Sequence, residues 1–161
     1  MPHPPLIEDL HTHPECIPIL ANWHFAQWGP LTGAATREEY AGRLEDAVSS
    51  RGLPSVLLAF AAGRLIGSVS LVSNDMSIRP SLTPWLAQLL VAPSDRRSGV
   101  GAALVRAAAS RAQGLGFRRL YLYTSGDLPR YYARLGWAAG ERVDYLGKPR
   151  TLMHYELGAH E

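Results

Sequence analysis

"VAPSDRRSGVGAAL" spans residues 91–104, between an apolar run, Trp85–Val91, and an Ala-rich stretch that continues to about Leu115. The run reads as a buried strand and the stretch as a helix. Gly99 and Gly101 fall where the helix begins, although glycine is a poor helix former, and Arg96 and Arg97 stand beside them. A first helical turn has backbone N–H groups without intrahelical partners, and the peptide dipoles add positive potential there. Glycine removes side chains that would hold an anion away. Ser98 adds a hydroxyl donor, and the two guanidinium groups add charge. The segment reads as a diphosphate-holding loop at a helix mouth.

Two common versions of such a loop do not fit. The NTPase phosphate loop requires a lysine, and none is present here. The dinucleotide fingerprint needs a third glycine where Leu104 stands, and no acidic residue follows about 20 positions on at a strand end.

Outward from the loop, "RRLYLYT" (118–124) alternates Leu120 and Leu122 against Tyr121 and Tyr123, a strand. Strand, helix and strand in so short a span predict a parallel pair with a right-handed crossover. The predicted helix from Gly99 carries Val100, Ala103, Leu104, Ala107 and Arg111 on one face and ends at Gly114 and Gly116. Asp127 and Gly136 bracket a short helix, and two last strands flank Gly147-Lys148-Pro149. Upstream, "PSVLLAFAAGRLIGSVSLV" (54–72) predicts a hairpin turning at Ala62-Gly63-Arg64. A helix over 14–28 places Ile17, Leu20, Ala21, His24 and Trp28 on one face. "TREEY" (36–40) offers a capping box ahead of a second helix with Tyr40, Leu44, Ala47 and Val48 inward. The expected architecture is one α/β domain over residues 5–158. It is a mixed, mostly antiparallel sheet with a central parallel strand pair, covered by helices.

The chain has 161 residues, 47% hydrophobic and 19% charged, with a net charge of +2. That balance argues against a nucleic-acid partner. Cys16 is the single cysteine, so an intrachain disulfide and cysteine-type zinc clusters are excluded and no metal is expected. No basic-then-apolar leader and no stretch of about 20 apolar residues appears, so the expected location is cytoplasmic, away from the membrane.

Arg96-Arg97-Ser98-Gly99-Val100-Gly101, after Leu-Val-Ala-Pro, resembles the acetyl-CoA-binding motif Gln/Arg-x-x-Gly-x-Gly/Ala of the GNAT superfamily of N-acetyltransferases. "RYYARLGW" (130–137) is similar to that family's aromatic-Tyr-x-x-Leu-Gly-aromatic segment. "NDMSIRPSLTPWLAQLLVAP" (74–93) and "YLGKPRTLMHYEL" (145–157) are similar to its central strand region and closing hairpin. The likeness covers about residues 67–157; before that only the order of elements agrees. It implies a GNAT-like acyl-CoA N-acyltransferase fold, with acetyl-CoA as co-substrate and an amine, small molecule or peptide, as partner. The backbone of Leu89, Leu90 and Val91 would bond the pantetheine arm, an N–H near Val91 would polarise the thioester, and residues 97–102, Ala102 included, would hold the diphosphate beside Arg96. Tyr132 takes the family's general-acid position. An asparagine is frequent seven residues before that tyrosine; Ser125 stands there, which shortens or removes one cofactor contact.

The residues leave other roles open. Tyr132 either donates a proton or packs beside Tyr131. Asp75 either serves as base or amine-binding group or forms a turn with Asn74. His24 and Trp28 either face an acceptor or belong to the core, as do Trp23, Phe25 and Trp85. Of the arginines near the loop, Arg106, Arg111, Arg118 and Arg119 read as solvated surface. The leading expectation is direct acetyl transfer to a primary amine in a ternary complex, since Cys16 is poorly placed as an acyl carrier. The alternatives are a non-catalytic acyl-CoA-binding sensor or assembly module, and transfer to a protein N-terminus or lysine. A homodimer paired through the last strand is compatible with the sequence.

Overall fold

Two consecutive residues with positive φ, Ala62 (50°) and Gly63 (77°), turn the chain between β2 (Ser55–Ala61) and β3 (Arg64–Val72). Ala61 pairs with Arg64, so the loop is two residues long, a geometry whose twist suits a hairpin. A computed structural model describes residues 4–29 and 36–158. Besides that hairpin it contains β1 (Leu6–Asp9), α1 (Ile17–Trp28), α2 (Arg37–Ser49), β4 (Trp85–Val91), α3 (Val100–Gly114), β5 (Arg119–Thr124), α4 (Leu128–Arg134), β6 (Ala138–Tyr145) and β7 (Lys148–Glu156).

The seven strands form one sheet in the order β1-β2-β3-β4-β5-β7-β6. Every pairing is antiparallel except β4 with β5. The sheet carries apolar groups on both faces, and side chains alternate along β2 accordingly. Leu57 and Ala59 join Val69, Leu71, Leu86 and Leu120 under α3, whereas Val56 and Leu58 meet Leu20, Tyr40 and Leu44 of α1 and α2. A third cluster, Met76, Trp85 and Leu152, lies where the 73–84 segment meets the sheet.

Three local features differ from the sequence expectation. The buried face of α3 is Val100, Leu104, Val105, Ala108 and Ala112, rotated by about one position. In an Ala-rich helix the small side chains mark a face weakly, and Arg111 turns out to reach Asp9 of β1 at 2.8 Å. The strand β1 itself, "LIED", is too short to show alternation. The last hairpin turns at Leu146 and Gly147, so Lys148 and Pro149 already belong to β7. Other terminators act as read: Thr36 Oγ1 accepts from the Glu39 N–H at 3.1 Å. At the end of α3, Phe117 N–H donates to Ala112 O and Gly116 N–H to Gln113 O, with Gly116 at φ 94°.

What positions the site is the contact between β4 and β5. It has one register pair, Trp85 with Tyr121, supported by Tyr121 N–H to Pro84 O at 3.1 Å. Beyond Trp85 the two strands separate. On its other side β4 carries a bulge: between the Ser68–Leu90 and Ser70–Ala87 pairs, Gln88 and Leu89 face the single residue Val69, and Gln88 has φ 54°.

Candidate active site

Alongside β4, where it has parted from β5, lies a cavity of about 500 Å³ lined by Leu89, Leu90, Val91, Arg96, Arg97, Gly99, Gly101, Ala102, Leu128, Tyr131, Tyr132 and Gln27. Strand, loop, helix mouth and the two tyrosines thus face one space. Ala92 N–H donates to Ile66 O at 2.8 Å across the β3–β4 ladder. Because antiparallel partners alternate, Val91 turns its own N–H and C=O away from β3, toward the gap. Its carbonyl is held there by Arg96 Nε at 3.1 Å; its N–H faces the cavity.

The loop is fixed from below. Arg64 on β3 pairs with Asp95 at 3.1 Å, and hydrogen bonding to Arg64 holds the Asp95 carboxyl below its ordinary value. Ser98 Oγ donates to Asp95 O. The hydroxyl expected to face an anion therefore closes the loop instead. Arg97 (φ 64°) and Gly99 (φ 87°) make the left-handed steps into α3, and no side chain caps that helix. Its first N–H groups remain available as donors. Gly101 has a second reason to be glycine: a Cβ there would lie 2.8 Å from Tyr131 Oη. Val100 is 4% exposed and points into the core, so only its backbone reaches the mouth. Ser125 is half-buried and does not line the cavity.

Tyr132 is 7% exposed and sits edge-on to Tyr131, with ring centroids 5.2 Å apart. Burial, with a smaller contribution from Tyr131, pushes its phenol up to about 12. Its carbonyl accepts from both Leu135 and Trp137 N–H groups, which fixes the end of α4. Asp127 occupies the N-cap of α4 without a side-chain bond.

On the other side of the β4 bulge lies a second cavity, of about 370 Å³. His24, Tyr40, Arg43, Asp46, Ser70 and Gln88 line it together with Asp75. Of the sequence-derived acceptor candidates, Asp75 and His24 therefore share one space. Trp28 stays outside it and sits edge-on to His24, centroids 5.3 Å apart. Trp23 and Phe25 pack against the α1–α2 core, and Trp85 is fully buried with its indole N–H on Leu82 O. Arg119 pairs with Glu156, so of the arginines around the loop Arg96 and Arg97 alone line the first cavity.

His24 is 1% exposed, and its Nε2 has no hydrogen-bond partner among the described residues. Burial, then the Arg43 charge, push its pKa down to about 4. The unfolded chain accepts a proton below about pH 6.5 that the native state refuses. The His24 contribution is thus complete above that pH and is lost as pH falls toward 4, a loss of about 3 kcal/mol. Denaturant unfolding at pH 7 and pH 4.5 should show a smaller acid loss in His24→Phe than in the wild type. Equal losses would contradict this.

Gln27, Leu128 and Gln88 escaped the sequence reading. For Gln88 a signal exists: it is the lone polar residue in "WLAQLLV". Gln27 and Leu128 carry none, since only the docking of α1 and α4 brings them to the gap.

Comparisons with known proteins bear on the family and the fold. Residues 17–137 match the family model described as the acetyltransferase (GNAT) family. No curated protein matches the sequence. Solved structures share the fold at low identity. The aminoglycoside 6'-N-acetyltransferase from Enterococcus faecium is 16% identical with TM-score 0.73, covering 97% of this chain and 99% of that one. The structure of yncA from Salmonella typhimurium with its cofactor acetyl-CoA is 14% identical with TM-score 0.73, covering 99% and 97%. A GNAT-family acetyltransferase from Streptococcus pneumoniae is 22% identical with TM-score 0.71, covering 96% and 99%.

Proposed function

Because the chain belongs to the acetyltransferase (GNAT) family, we propose that it transfers acetyl from acetyl-CoA to a primary amine by direct attack, with both substrates bound at once. The observation that carries this reading is the coincidence, in one gap, of an uncapped helix mouth, an unpaired strand edge and a buried phenol. The gap suits the co-substrate chemically: cationic and N–H donors at one end, apolar Leu89 and Leu90 along its length, and a proton donor at Tyr132.

Acetyl-CoA supplies an acyl carbon already activated as a thioester. The N–H groups at Gly101 and Ala102, with the guanidinium groups of Arg96 and Arg97, hold the diphosphate. Val91 N–H donates to the thioester carbonyl oxygen, and a donor of this kind supplies about 3 kcal/mol as negative charge develops there. Tyr132, with its phenol near 12, stays protonated at neutral pH and donates Oη–H to the departing sulfur. Cys16 is 7% exposed and lines a different surface pocket, which favours direct attack over an acyl-cysteine.

The test is release of free thiol from acetyl-CoA across a panel of amines, followed by two-substrate kinetics. Intersecting double-reciprocal lines are expected. Parallel lines would indicate a covalent intermediate, and CoA binding without thiol release on any amine would identify a binding module instead.

A further inference from the structure

The reaction proposed above needs a group that removes a proton from the incoming ammonium, and the cavity beyond the β4 bulge holds one carboxylate suited to it. Asp75 is half-buried, and among the described residues its side chain enters no hydrogen bond or salt bridge. Around it stand Val56, Val72, Leu44 and Ala87, apolar walls from β2, β3, α2 and β4. The cavity reaches core depth, since His24, Tyr40 and Ser70 at its lining are at most 3% exposed. At the same lining the buried His24 Nε2 has no hydrogen-bond partner among the described residues. Buried polar groups are ordinarily hydrogen-bonded, so an unpartnered imidazole nitrogen beside a carboxylate around an empty space marks a place for a ligand. Consecutive residues of β4 divide the two spaces: Gln88 lines this cavity and Leu89 the co-substrate gap. The bulge is where they meet.

We infer that this cavity is the acceptor site, that it takes a small-molecule primary amine with an apolar stem, and that Asp75 binds the ammonium and accepts its proton. The inference rests on the acetyl-transfer reading. A cavity of about 370 Å³ walled by two helices and three strands is the size of a small-ligand site. Asp75 takes the first proton from R–NH₃⁺. The freed nitrogen pair forms the C–N bond while the C–S bond breaks, its electrons passing to sulfur, which is protonated from Tyr132. The second nitrogen proton leaves to solvent, Asp75 releases the first there as well, and Tyr132 regains its own from there, so one proton is released per turnover.

Burial pushes the Asp75 carboxyl up to about 7, so it can accept a proton near neutrality. The charged or titratable groups that face it are His24 from α1, Tyr40, Arg43 and Asp46 from α2, and Tyr123 from β5. His24 at about 4 and Tyr123 at about 12 do not change charge near pH 7.

The experiment compares wild type with Asp75→Asn, which keeps side-chain volume, using tyramine, spermidine, kanamycin and a lysine-containing tetrapeptide as probes. In the wild type, kcat/KM rises through a limb near pH 7 on a small amine. Asp75→Asn lowers kcat/KM by about 30-fold at pH 8 and abolishes that limb. An independent readout needs no substrate. A carboxyl whose native pKa is raised stabilises fully below its unfolded value and loses that contribution as pH rises to the native one. The melting temperature of Asp75→Asn should therefore exceed the wild type's by more at pH 8 than at pH 5. An unchanged kcat/KM or a persisting limb overturns the role of Asp75, as does a melting-temperature difference independent of pH. Acetylation of the tetrapeptide alone overturns the small-molecule assignment. Absence of thiol release from wild type with every probe is a failure of the acetyl-transfer reading itself, and is seen before any variant is compared.

Discussion

Gly101→Asp lowers the affinity for CoA by at least about a thousandfold, some 4 kcal/mol, while the protein stays folded. Two effects add. The new Cβ lies 2.8 Å from Tyr131 Oη, so either the tyrosine or the first turn of α3 must shift within the cavity. The carboxylate then stands among the N–H donors that hold the diphosphate, replacing attraction with repulsion. An acidic residue in the first turn of a helix is itself favourable, so α3 gains rather than loses local stability. Calorimetric titration with CoA, alongside a thermal melt, separates the two. Gly99→Asp acts differently: nothing crowds a Cβ there, but its φ of 87° strains any side chain. A Gly101→Asp protein that binds CoA as tightly as the parent would remove the diphosphate from the helix mouth.

Tyr132→Phe lowers kcat by about 100-fold and leaves CoA affinity within about twofold. The ring keeps its packing on Tyr131 and Trp137, with centroids 5.2 and 6.0 Å away, so the gap keeps its shape. Only the proton at Oη is lost. Its phenol, near 12, is a weak acid, so its work is to hydrogen-bond and protonate a sulfur bearing developed charge. The loss is then greatest when the acyl donor carries a poor leaving thiol. Steady-state kinetics with two acyl thioesters of different thiol acidity checks this. A variant as fast as the parent on both would leave Tyr132 a packing residue.

The helix mouth was legible because it is local. Glycine at 99 and 101, arginine at 96 and 97, and an apolar strand before them are enough to mark a strand-to-helix junction as a candidate anion site. The hairpin at Ala62-Gly63 and the Thr36 cap were legible for the same reason. Other features depend on distant segments. That Ser98 spends its hydroxyl on Asp95, and that Asp95 is held by Arg64 thirty-one positions earlier, are tertiary facts. So is the need for Gly101 to clear Tyr131. The separation of β4 from β5 leaves no mark on either strand, although it creates the gap. Asp75 was recognisable as a candidate, but not its meeting with His24, which comes from the packing of α1 and α2 against the sheet.

The most direct measurement is a titration of the purified wild-type protein with CoA, read by calorimetry and by thermal unfolding. Saturable heat with one site per chain is expected, together with a melting temperature that climbs with ligand, equivalent to about 2.7 kcal/mol at a hundred times the dissociation constant. A flat titration and an unmoved melting curve would contradict the CoA site.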